Sequence, residues 1–209
     1  MQPLFVLLVS AITIAFSHTL VGVDHYIPFI ALGKSNSWST RKTLSLVLLC
    51  GIGHVLSSVV LGFAGIALST SISRIEPIQA MRGDIAMWFL IAFGLVYTVY
   101  GIRKALKNSH HHTHAKSNTA WGLFILFVLG PCEPLIPIFM YPAATHNLAA
   151  LITVTLVYAL CTIGTMLIMT YIGLKGLKLL KVKALERYTH ALAGFAVLAC
   201  GLAILFLGI

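Results

Sequence analysis

Apolar residues run along this chain in long stretches separated by short polar connections. Six stretches reach the roughly 20 residues that a helix needs to cross a bilayer: about 3–31, 43–69, 84–102, 120–142, 148–174 and 188–209. The connections leave no room for a soluble domain. The pattern predicts an all-α polytopic membrane protein, a single transmembrane domain over 1–209 with six spans. The first stretch has no basic start, runs on past Ser17 and His18 and lacks a clear small-residue cleavage site, so it is expected to stay rather than be removed as a signal peptide.

Two stretches are broken by polar and helix-disrupting residues. The first carries His18-x5-Asp24-His25 with Gly22 and Pro28; the fourth carries Pro131-Cys132-Glu133-Pro134 followed by Pro137. Proline removes a backbone donor and clashes with the preceding turn. Irregular backbone at membrane depth is tolerated only when buried in protein or facing a cavity. A carboxylate there costs on the order of 3 kcal/mol or more without a partner, an ion or water. Asp24 beside histidine and Glu133 beside cysteine therefore mark candidate cation ligands in two broken helices.

The chain also resembles itself. Leu49-Cys50-Gly51-Ile52-Gly53-His54-Val55-Leu56 matches Leu160-Cys161-Thr162-Ile163-Gly164-Thr165-Met166-Leu167 at five of eight positions. Asp24-His25-Tyr26-Ile27-Pro28 can be laid on Glu133-Pro134-Leu135-Ile136-Pro137. Gly94 and Gly101 share their spacing with Gly194 and Gly201. Three matches in one order predict a 3+3 duplication: repeat 1 over about 1–105, a histidine-rich loop over about 105–118 and repeat 2 over about 119–209. Three helices per repeat invert the second half, a plan in which opposed helix breaks form a midplane site.

Composition agrees. Hydrophobic residues make up 59% and charged residues 9% of the 209, far from the average of soluble domains. The formal charge of +9 is explained by topology rather than by nucleic acid. Twelve of the fourteen basic residues, among them Lys34, Arg41, Lys42, Arg103, Lys104, Lys175 and Arg187, fall in alternate loops. The positive-inside rule makes those loops cytoplasmic and both termini external; the expected location is a prokaryotic inner membrane. Only Arg74 and Arg82 lie on the other side, balanced by Glu76 and Asp84. Trp38, Trp88, Trp121, Tyr26, Tyr141 and Tyr188 are expected in aromatic belts at the interfaces.

The candidate ligands are His18, Asp24, His25, His54, Cys132 and Glu133. Imidazole and thiolate favour transition metals, whereas magnesium and calcium prefer oxygen alone. In an unbroken helix His18 and His25 would stand about 10 Å apart along the axis, so either distortion at Gly22 brings them together or one of them belongs to an entry path. Thr162, Thr165 and Ser57 are weaker candidates, because such hydroxyls usually bond to their own helix. His110, His111, His112 and His114 form a flexible cytoplasmic string suited to capturing divalent ions. No Gly-x4-Gly-Lys-Ser/Thr string occurs, so movement would be driven by ion gradients or by accessory subunits.

At His18-Thr-Leu-Val-Gly-Val-Asp24-His25 and Gly53-His54 the chain resembles the nickel/cobalt permeases and their efflux relatives, many of which have a histidine-rich loop. It has five residues between His18 and Asp24 where the uptake motif usually has four. The resemblance implies a divalent-cation transporter, not an enzyme, with no resident cofactor. Its substrate would be nickel or cobalt ahead of zinc, copper or iron, and its partners the bilayer and accessory subunits or further copies of itself. At Gly130-Pro131-Cys132-Glu133-Pro134 the chain is also similar to the six-helix thiol–disulfide electron carriers of cytochrome c maturation. That implies transfer through Cys132 as the alternative, although the first stretch has no matching cysteine. A third alternative is a carrier of a small organic or sulfur-containing solute in which the same residues relay protons.

Overall fold

The computed structural model describes residues 2–67, 72–106, 118–130, 132, 135, 138, 142, 147–179 and 187–207. Among them there are helices and no strands: α1 (Gln2–Val21), a 3-10 turn (Val23–His25), α2 (Ile27–Ser35), α3 (Thr40–Ala67), α4 (Ile72–Leu106), α5 (Asn118–Leu129), α6 (Leu148–Leu179) and α7 (Thr189–Leu207). Among the described residues five helices are long and apolar enough to cross a membrane, in α1, α3, α4, α6 and α7; Thr119–Leu129 in α5 is a shorter apolar helix. Most of their large side chains that miss the core are exposed along the outside, Phe5, Val96, Leu160 and Phe206 among them. Such a surface suits lipid contact and not water.

The helix boundaries follow local chemistry. The Ser39 hydroxyl accepts from the Lys42 amide ahead of α3, and Asn147 Oδ1 accepts from the Ala150 amide ahead of α6. Both are N-caps, which satisfy amides with no partner inside the helix. At the end of α2 the Trp38 amide donates to the Gly33 carbonyl and the Ser37 amide to that of Lys34, with Ser37 at φ 53°. This is a Schellman closure with serine in the left-handed position. Lys34, expected in the loop, belongs to the last turn of α2.

Helix α4 runs antiparallel along α7, and the glycines set their separation. A Cβ on Gly94 would stand 2.7 Å from Leu198 Cα, and one on Gly194 would stand 2.7 Å from Thr98 Cα. Gly101 lies against the Ala191 backbone and Gly201 against Ile91. Without hydrophobic attraction between helices in lipid, close backbone approach at small residues is what holds them. The four glycines whose spacing the two halves share thus interlock these two helices. Helix α3 is antiparallel to α6, with Gly51 against Ile163 and Met166, while α1 and α6 run in the same sense, with Cys161 Sγ donating to the Ile12 carbonyl at 3.5 Å.

Two buried clusters result. One joins Phe29, Val47, Leu90, Phe127, Met166 and Val197, and the other joins Ala11, Ala15, Val55, Cys132, Val154 and Tyr158. At one end of the bundle four cations lie over aromatic rings: Lys42 on Trp38, Lys104 on Tyr100, Lys175 on Tyr171 and Arg187 on Tyr188, at 5.1 to 6.0 Å.

Candidate functional site

The break between α1 and α2 builds the site. Helix α1 ends at Val21; Gly22 (φ −70°, ψ 87°) and Tyr26 (φ −136°, ψ −30°) flank the 3-10 turn. Pro28 stands in the first turn of α2, where the missing amide costs nothing. It starts the second half-helix rather than interrupting the first. The last helical bond of α1 runs from the Gly22 amide to His18 O at 2.8 Å, and the Leu20 carbonyl accepts from the Tyr26 hydroxyl at 3.1 Å. Tyr26, expected at an interface, thus helps close the break.

Gly22 is required by contact rather than by its φ. A Cβ there would lie 2.6 Å from His25 Nδ1 and 3.0 Å from His18 O. Its absence lets the His25 ring fold back over the turn, so that His18 and His25 ring centres stand 5.0 Å apart instead of two helical turns. His54 joins from α3, its ring 5.3 Å from that of His25. The close approach of α3 to α5 at Gly53, whose Cβ would stand 2.9 Å from Val128 Cγ2, brings His54 beside Phe127.

The hydrogen bonds decide which nitrogen each ring presents. His25 Nδ1 lies 3.0 Å from the Gly22 carbonyl and 3.1 Å from Asp24 Oδ1; His54 Nδ1 lies 3.3 Å from the Phe127 carbonyl. A carbonyl only accepts, so in both rings Nδ1 carries the proton. In a neutral ring Nε2 is then a bare lone pair. The Nε2 atoms of His18, His25 and His54 are all buried and have no hydrogen-bond partner. Buried polar atoms are normally paired, and three orphaned nitrogens in one place call for an explanation.

These side chains line a cavity of about 400 Å³, together with Ala80, Gly83, Asp84, Met87 and Leu90 of α4, Leu126, Phe127 and Gly130 at the end of α5, and Ile204 and Leu205 of α7. His25 and His54 are buried at one side, whereas Ala80, Asp84 and Leu205 are exposed. Asp24 keeps 27% of its side chain accessible. Apart from the histidines, the charged groups among the described lining residues are the carboxylates of Asp24 and Asp84. Arg82, two residues from Asp84, donates instead to Ser57 Oγ and to the Val128 carbonyl, each at 2.9 Å.

The structure therefore gathers four of the six ligands expected from sequence: His18, Asp24, His25 and His54. Cys132 is not among the residues lining the cavity. It sits in the second apolar cluster, its amide donating to Ser58 Oγ at 2.9 Å and its thiol to Tyr158 Oη at 3.4 Å. Glu133 and the prolines around it, with His110, His111, His112 and His114, lie outside the described residues. Among the described residues no group of three or more His, Cys, Asp or Glu already stands as a metal-binding cluster. Thr165 and Ser57 bond back to their own helices, to Cys161 O and His54 O. Asp84 was not singled out in the sequence because it reads as a counter-charge to nearby arginines. Its place inside the span Ala80–Leu106 was the available signal.

The fold and its apolar exterior define an integral membrane protein built from several spanning helices, with a cavity that histidines and carboxylates line among apolar side chains. Compared with family models, curated proteins and solved structures, the chain finds no match in any of the three.

Proposed function

We propose that this protein is a membrane transporter of a divalent transition-metal cation, of the nickel/cobalt class, with its substrate site at the cavity end formed by His18, Asp24, His25 and His54. The reading is carried by one observation: His25 and His54 have their Nδ1 protons committed to backbone carbonyls, leaving buried Nε2 lone pairs without partners at a cavity that the Asp24 carboxylate also lines. Metal-ligating histidines are oriented in this way by the bond their other nitrogen makes. Lone pairs and carboxylates attract a cation and repel an anion. The ring separations require the side chains to draw together around an ion as it enters. Cys132 and Glu133 stand as further ligands in this proposal, contributed as the fourth span rearranges; the histidine string would capture ions at the cytoplasmic loop.

The antiparallel pairs α3 with α6 and α4 with α7 support an inverted 3+3 repeat, because each joins corresponding members of the two halves. In that arrangement one half rocks against the other and opens the site to each side in turn. Binding would release protons, since the ligands must be neutral imidazole and ionised carboxylate.

The test is flux in proteoliposomes with nickel, cobalt and zinc in parallel. Asp24→Asn and His54→Ala should each abolish uptake while the purified variants melt as the native protein does. Native flux in both variants would reject the site. For the electron-carrier alternative, Cys132→Ser should abolish transfer of reducing equivalents across the membrane, and the native protein should yield a trapped mixed disulfide; absence of both would reject that alternative.

A further inference from the structure

The pairing of α4 with α7 has local two-fold symmetry. Exchange of the two helices turns the contact of Gly94 with Leu198 into that of Gly194 with Thr98, and the contact of Gly101 with Ala191 into that of Gly201 with Ile91. The same exchange carries Met87 to Arg187, Leu90 to His190, Ile204 to Lys104 and Leu205 to Ala105. Met87, Leu90, Ile204 and Leu205 all line the cavity. The two ends of one helix pair are thus equivalent in backbone and opposite in condition.

At the cavity end the paired residues are apolar and stand around open space. At the other end they are tied together. Arg187 Nε donates to the Ala105 carbonyl at 2.7 Å, and Lys104 Nζ lies 2.9 Å from His190 Nε2. An ammonium only donates, so His190 Nε2 accepts and Nδ1 carries the proton. That proton points at the Tyr97 hydroxyl, 3.0 Å away; Tyr97 in turn lies 3.2 Å from Ser35 Oγ, and Ser35 Oγ donates to the Leu32 carbonyl at 3.2 Å. Asn36 Nδ2 also donates to Tyr97 Oη, at 3.1 Å. Along Lys104, His190, Tyr97, Ser35 and the Leu32 carbonyl each donor points the same way, from α4 through α7 to the last turn of α2, while Asn36 at the end of α2 donates back to Tyr97. Helix α2 begins directly after the turn that holds His25, so this chain fastens the far end of the half-helix that leads out of the site.

We propose that Lys104, His190, Tyr97 and Arg187 form the closed gate on the face opposite the cavity, and that the site opens to that face only when these hydrogen bonds part. The proposal rests on the alternating-access reading given above and does not depend on which ion is carried. A clasp that merely holds the fold together would use the same bonds, and distance measurements separate the two.

Nitroxides are attached to a ketone-bearing amino acid, which leaves the native cysteines in place. One pair, at Lys34 and Leu106, reports the gate end; a second, at Val60 and Phe206, reports the cavity end. Distances are measured by pulsed electron resonance in liposomes, without metal. Tyr97→Phe removes the central hydroxyl and keeps the ring stacked on Phe93, 5.9 Å between centres. Lys104→Met removes the first donor. Each variant should add a longer-distance population at the gate end and a shorter one at the cavity end. Native distributions at both pairs in both variants, with or without a lower melting temperature, would overturn the gate. Shifted distances with no metal flux in any protein would keep the gate and reject the metal.

Discussion

Gly22→Ala tests the site at the atom where its geometry is decided. The backbone at this position suits alanine (φ −70°, ψ 87°), so the effect must come from the methyl group alone. It would stand 2.6 Å from His25 Nδ1 and 2.9 Å from Cε1, whereas ordinary contact begins at 3.4 Å. The ring must therefore retreat by about 0.8 Å, the difference between 3.4 and 2.6 Å, while His18 O at 3.0 Å blocks the methyl from moving the other way. That retreat stretches the bond from Nδ1 to the Gly22 carbonyl, now 3.0 Å, and releases the ring's orientation. Loss of such an orienting partner costs about 10–100-fold in metal affinity, or roughly 1.4–2.7 kcal/mol. The crowding itself costs about 1–3 kcal/mol of stability. Gly164→Ala is the control, because a Cβ there meets nothing within 4 Å. Titration calorimetry with nickel, cobalt and zinc on detergent-solubilised protein should show weakened binding for Gly22→Ala and native binding for Gly164→Ala. Native affinity in a correctly folded Gly22→Ala protein would refute the role given to the His25 ring. Absence of metal binding by the native protein would refute the ligand reading altogether.

Two other outcomes are expected. Gly101→Leu places a branched side chain against the Ala191 backbone and should lower the melting temperature and the folded yield well below those of Gly176→Leu, where the site is open; equal melting of the two would contradict the glycine interlock. Metal affinity should fall as pH falls, because protonated imidazole cannot ligate, and calorimetry in buffers of different ionisation enthalpy should detect proton release on binding; a pH-independent affinity with no proton release would count against histidine ligands.

Much of the architecture was legible in the residues. Long apolar runs can be satisfied in lipid only as helices, so α1, α3, α4, α6 and α7 were predictable, and the break in the first span followed from Gly22 next to Asp24-His25. The site was legible in its residue types and not in its membership. His18 and His25 are too far apart on a regular helix to meet, and only the turn between Val21 and Ile27 brings their rings together. Asp84 resembled a surface counter-charge until α4 placed it on the cavity wall. Cys132 lies in the apolar cluster with Tyr158, a placement that its neighbours in sequence do not indicate.

Sequence by itself determined that this chain is a helical membrane protein with a costly carboxylate and histidines inside its first span, because burial in lipid constrains every backbone and charged group independently of what surrounds it. Which groups share a cavity, which imidazole nitrogen is left bare and how the glycines of α4 and α7 interlock were decided only by tertiary structure. Those properties depend on the rotation of one helix against another and on carbonyls supplied by distant residues, such as Phe127 for His54. No local pattern along the chain encodes them.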